Sequence, residues 1–80
     1  MSVSGEAALA AARRLLRTFA SAPDPRRQAR MIYSELASGE GWTRAERAAI
    51  DALGVWLQGP PSIADLKPRC ADVITKLDRP

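Results

Sequence analysis

The sequence predicts an all-α fold, a small bundle of four helices joined by short loops and containing no strands. Apolar residues recur at helical spacing in four segments, and clusters of Pro, Gly and Ser separate those segments. No segment alternates apolar and polar residues as a half-buried strand does. Because 80 residues suffice for one small domain, we expect residues 1–80 to form a single helical domain with frayed ends at 1–3 and 79–80.

The first helix is predicted over about residues 5–20. Ser4 is placed to cap its first turn, where Glu6 suits the positive end of the helix dipole. Its apolar face comprises Leu9, Ala12, Leu15, Leu16 and Phe19. Arginines occupy the opposite side, so this helix is strongly amphipathic.

The second helix is predicted over residues 25–38. Asp24 precedes Pro25, which is the usual order of a capping residue and a proline at the first helical position. Its inner face comprises Ala29, Ile32, Tyr33 and Leu36. We expect Gly39 to end this helix in the left-handed conformation that favours glycine.

The third helix is predicted over residues 44–58. Thr43 and Glu46 have the spacing of a capping box, in which each side chain binds the backbone amide of the other residue. The apolar face is wide and comprises Ala45, Ala49, Ile50, Ala52, Leu53, Trp56 and Leu57. The Gly59–Pro61 segment ends the helix.

The last helix is predicted over residues 63–77, with a break or kink near Pro68. Proline cannot donate a hydrogen bond to the carbonyl of Ala64, so we expect a short turn over 62–66 and the main helix from Lys67. Ser62 and Asp65 have the spacing of a second, weaker capping box. The apolar residues stay in helical phase across the proline: Ile63, Leu66, Cys70, Val73, Ile74 and Leu77.

The composition argues against catalysis. The chain has no His and one Cys, which excludes a histidine base, a histidine metal ligand, an intrachain disulfide and a cysteine-rich zinc site. Cys70 lies on an apolar helix face and is interpreted as a core residue. The carboxylates are spread singly and the chain lacks a glycine-rich phosphate loop. We therefore expect no enzyme activity, no cofactor and no metal site.

The net charge of +3 is concentrated near the N-terminus. Residues 1–30 contain six arginines and two acids, a balance of +4, whereas residues 31–80 contain six bases and seven acids, a balance of −1. The first segment therefore predicts a basic patch for binding a partner, formed by Arg13, Arg14, Arg17, Arg26, Arg27 and Arg30. The alternative is an ordinary solvated face.

Three apolar residues fall off the predicted core faces and form a weaker candidate for partner binding: Met31, Trp42 and Val55. Methionine and tryptophan are enriched in protein interfaces. The alternative to partner binding for Trp42 is that it closes one end of the core. A cation–π contact with Arg47, in place of a hydrophobic staple, is a separate expectation.

Together these features predict a non-enzymatic protein–protein interaction module, acting as a small regulator, an inhibitor (including a phage-encoded one) or a subunit of a complex. We expect a protein partner with an acidic surface, and self-association into a homodimer is a further expectation. The alternative is a helical domain that binds nucleic acid through the same arginines. An Arg-rich, Lys-poor composition indicates a bacterial or phage source. The sequence has neither a signal peptide nor an apolar run of roughly 20 residues, which predicts a cytoplasmic protein without a membrane partner.

Overall fold

The computed structural model describes residues 3–78, which form four α-helices, a 3₁₀ turn and a pair of two-residue strands. In chain order these are β1 (Val3–Ser4), α1 (Gly5–Arg17), the 3₁₀ turn Phe19–Ser21, α2 (Pro25–Ser38), β2 (Gly39–Glu40), α3 (Arg44–Gln58) and α4 (Ile63–Leu77). The predicted all-α bundle is confirmed, and the bounds of α2, α3 and α4 agree with the prediction.

One apolar core joins all four helices. Its fully buried large side chains are Ile32, Leu36, Ile50, Leu53, Leu66, Cys70 and Leu77. The faces predicted from helical spacing are therefore the faces that pack together. No polar or charged residue is buried among residues 3–78.

The first helix ends earlier than predicted, at Arg17 instead of residue 20. The hydroxyl of Thr18 donates to the carbonyls of Arg14 and Leu15, at 3.3 Å in each case. The bond to Leu15 satisfies a carbonyl near the helix end, and the Arg14 carbonyl also accepts from the Thr18 amide at 3.3 Å. The chain then tightens into the 3₁₀ turn, which keeps Phe19 buried in the core.

The prediction that Gly39 ends α2 in the left-handed conformation is wrong. Its φ is −72°, and it pairs instead in parallel register with Val3. The left-handed residue is Gly41, whose φ is 89°. The two-residue strand pair also corrects the expectation of no strands, since strands this short leave no alternating pattern in a sequence.

The predicted turn over 62–66 is wrong as well, because α4 runs without interruption from Ile63 through Pro68 to Leu77. Ala64 and Pro68 are both exposed, so water can bind the carbonyl that the proline leaves free. The predicted box of Ser62 and Asp65 does not form. The hydroxyl of Ser62 caps no amide. The backbone carbonyl of Ser62 instead accepts from the Asp65 amide at 3.0 Å.

The predicted capping box of α3 is confirmed. Thr43 Oγ1 accepts from the Glu46 amide at 3.1 Å, and the Glu46 carboxylate accepts from the Thr43 amide at 2.8 Å. Of the ends expected to be frayed, residues 1, 2, 79 and 80 lie outside the described residues, while Val3 is paired in β1. Within 3–78 no helix combines the length and the apolar character needed to cross a bilayer.

Candidate interaction surfaces

Two of the six predicted patch arginines are used inside the fold. The guanidinium of Arg13 forms an ion pair with Asp78, the residue that follows α4. The half-buried side chain of Arg26 donates from Nη1 to the Pro61 carbonyl at 2.7 Å and so holds the connector between α3 and α4. Both guanidinium groups therefore have partners within residues 3–78.

The other four patch arginines are exposed, and none of them forms an ion pair or a side-chain hydrogen bond with any residue in 3–78. They are Arg14, Arg17, Arg27 and Arg30. We call these four residues the basic end.

The basic end lies where the last turn of α1 meets the first turns of α2. Gln28 joins these turns, because its Nε2 donates to the Leu15 carbonyl at 2.8 Å and to Thr18 Oγ1 at 3.2 Å. The helix dipole favours cations at the end of α1 and opposes them at the start of α2. Asp24 offsets that opposition, since its carboxylate accepts from the Arg27 amide at 3.2 Å.

The three apolar residues of the weaker candidate, Met31, Trp42 and Val55, differ in their exposure. Met31 on α2 is 41% exposed and Val55 on α3 is 69% exposed. Trp42, by contrast, is half-buried against the core. Ile63, at the start of α4, is 55% exposed. Its helical phase predicted burial, but the first turn of α4 extends beyond the core.

Trp42 packs against one end of the core, as one of the interpretations above expected. Its Nε1 donates to the Leu36 carbonyl at 2.9 Å. The expected cation–π contact with Arg47 does not form, because the Arg47 guanidinium donates to the carbonyls of Ala37 and Gly39 at 3.3 and 3.4 Å.

A cation–π contact does form elsewhere in the described chain. The Arg69 guanidinium lies 5.4 Å from the centroid of the Trp56 ring. This contact joins α4 to α3 on the outer side of the bundle, and no sequence pattern indicated it.

A cleft of about 480 Å³ lies beside α1, and none of the four arginines of the basic end lines it. Its walls come from the start of α1, the connector over 40–42 and the end of α4. We call it the Trp42 cleft, and its lining includes Trp42, Leu9, Leu77, Glu6, Glu40, Arg13 and Asp78. The described lining residues include three carboxylates and one guanidinium, a balance of −2 on a chain of net charge +3. Sequence reasoning missed the cleft because its residues come from three distant segments.

The described residues offer little for nucleophilic or metal chemistry. Burial in the core raises the pKa of the Cys70 thiol to about 11, so the thiol stays protonated at neutral pH. Within 3–78 no three His, Cys, Asp or Glu side chains are grouped to hold a metal ion. No protein-family model, curated protein or solved structure matches this chain.

Proposed function

We propose that this chain is a non-enzymatic protein-interaction module that binds an acidic surface on another protein through its basic end. One observation supports this proposal above the others. Four exposed arginines lie in the last turn of α1 and the first two turns of α2, and within residues 3–78 none has an acidic partner. Such a module would act as a regulator, an inhibitor or a small subunit of a complex.

The physical argument is that the side chains of these arginines contribute little to the stability of the fold. An exposed charge without a partner contributes almost nothing to folding stability, so the basic end is available for a partner at no structural cost. A guanidinium presents a planar set of donors that matches a carboxylate in two parallel bonds. Concentrated positive charge also speeds the encounter with an acidic surface.

The matched test compares two double variants that remove the same charge. Arg27→Gln with Arg30→Gln alters the basic end, whereas Arg44→Gln with Lys67→Gln alters exposed bases elsewhere. We expect cross-linking in host cells, followed by mass spectrometry, to recover one partner with wild type and with the control. The basic-end variant should lose it. Equal recovery by both double variants would contradict the proposal.

Nucleic acid is the second candidate, because the same guanidinium groups bind phosphates. If it is the partner, affinity for DNA or RNA should fall steeply with salt, and the basic-end variant should flatten that slope. Nuclease treatment should then abolish the cross-links. A homodimer would appear in light scattering as a doubled mass at high protein concentration, without any added partner.

We further propose a cytoplasmic location and a bacterial or phage source. Cys70 is a free thiol, which suits a reducing compartment. Ten of the twelve bases are arginine, which is typical of GC-rich coding sequences. Recovery of the chain in the extracellular fraction of its host would contradict the location.

A further inference from the structure

We propose that the Trp42 cleft binds a cationic side chain, an arginine or a lysine, on a partner polypeptide other than a second copy of this chain. This inference is separate from the proposed function, since no arginine of the basic end lines the Trp42 cleft. It also concerns the opposite charge, because the basic end attracts carboxylates whereas this cleft attracts cations.

The aromatic wall of the cleft is held in place from several sides. The hydrogen bond from Trp42 Nε1 to the Leu36 carbonyl, at 2.9 Å, orients the indole. A Cβ atom placed on Gly5 would lie 3.3 Å from the six-membered part of the ring, and one placed on Gly39 would lie 3.0 Å from Nε1. The indole therefore rests directly on glycine backbone, and little reorganisation is needed before a ligand binds.

The apolar lining of the cleft suits the stem of a long side chain. Leu9 is 8% exposed and Leu77 is 2% exposed, so these two side chains close the floor of the cleft, while the half-buried indole of Trp42 supplies its apolar wall. Lysine and arginine bury their methylene stems on apolar surfaces, while the charged group stays in contact with water or polar groups. The volume of about 480 Å³ lies in the range of sites that take a small ligand or a side chain.

The charges that line the cleft select the sign of the ligand. Glu6 and Glu40 are exposed, and within 3–78 neither makes an ion pair or a side-chain hydrogen bond. Arg13 also lines the cleft, but Asp78 neutralises it. Among the described lining residues the formal charge is −2, which opposes an anion, whereas a guanidinium or ammonium group would meet the carboxylates of Glu6 and Glu40 and an indole ring.

The test uses N-acetyl-arginine amide as the probe and ¹⁵N-labelled full-length chain as the target. We expect saturable shifts of the indole N–H of Trp42 and of the amides of Gly5 and Gly41, which line the cleft. The indole of Trp56 is the internal control, since it lies outside the cleft and contacts Arg69. N-acetyl-citrulline amide has the same shape without the charge and should bind on the order of tenfold more weakly.

A pair of double variants tests the role of the carboxylates. Glu6→Gln with Glu40→Gln should weaken binding of the arginine probe about fivefold. Glu35→Gln with Asp51→Asn removes equal charge outside the cleft and should leave the affinity unchanged. Circular dichroism of all variants should be that of the wild type, because none of these side chains is buried.

Three results would overturn the proposal: equal binding of citrulline, unchanged binding by the Glu6 and Glu40 variant, or shifts of both indoles in parallel. Shifts of the Trp42 signals with protein concentration alone would mean that a second copy occupies the cleft, which would also overturn it. The Arg27→Gln with Arg30→Gln variant should bind the probe as wild type does. If the basic end binds no acidic partner, the binding of the probe to the Trp42 cleft would therefore be unaffected.

Discussion

The indole Nε1 of Trp42 donates a hydrogen bond to the carbonyl of Leu36, in the last turn of α2. The carbonyls of Ala37 and Gly39 nearby accept from the Arg47 guanidinium. Side chains that follow α2 in the chain therefore satisfy its C-terminal end, and this end needs no left-handed glycine. The same indole forms a wall of the cleft, so folding and the proposed binding site share one residue.

We expect Trp42→Phe to lower the free energy of unfolding by about 1–3 kcal/mol, because it removes the bond to Leu36 and part of the core packing. Urea denaturation measures this loss. Trp56→Phe is the control, since the half-buried Trp56 side chain lies on the outer side of the bundle beneath Arg69. An unchanged free energy of unfolding in Trp42→Phe would show that the Trp42 hydrogen bond contributes nothing to stability.

Gly54 lies against the ring of Tyr33, and a Cβ atom on it would come within 2.6 Å of two ring carbons. Gly54→Ala should therefore destabilise the fold, although alanine favours a helix by about 1 kcal/mol over glycine. We expect a lower melting temperature, because the overpacking costs about 1–3 kcal/mol.

Two further variants test this explanation. Gly59→Ala should be nearly neutral, since its added Cβ would meet only the Trp56 carbonyl at 3.9 Å. Adding Tyr33→Leu to Gly54→Ala should restore part of the lost stability. A melting temperature for Gly54→Ala at or above that of the wild type would exclude the steric clash with Tyr33.

The helices were predictable because their signals are local. Asp24 with Pro25 marks the start of α2, and Thr43 with Glu46 marks the start of α3. The end of α2 was not predictable in detail, because Gly39 takes its conformation from a bridge to Val3, 36 positions earlier.

The candidate sites show the same division between local and distant effects. Charge counting predicts a basic patch near the N-terminus, but it could not separate Arg27 from Arg26, which differ in their tertiary contacts. The Trp42 cleft was missed because helical periodicity does not report which connectors meet at one end of a bundle.

Arg26 and Arg27 are neighbours in the chain with different roles, and this difference can be measured. Arg26→Ala should lower the free energy of unfolding by about 1 kcal/mol, because Pro61 loses its charged donor at 2.7 Å. Arg27→Ala should change it by less than about 0.5 kcal/mol, since the Arg27 side chain is exposed and has no ion pair within 3–78. Chemical denaturation of both variants compares these values, and the reverse order would contradict the structure.

The buried thiol of Cys70 makes stability depend on pH in the alkaline range. Burial raises its pKa from 9.0 to about 11, so the folded chain holds this proton more tightly than the unfolded chain does. The resulting stabilisation is fully present below pH 9.0 and is lost as the pH rises through about 11. Urea denaturation between these values should therefore show a steeper fall for the wild type than for Cys70→Ala, which serves as the control for all other titrating groups. Parallel profiles for the two proteins would mean that the folded thiol titrates as it does in the unfolded chain.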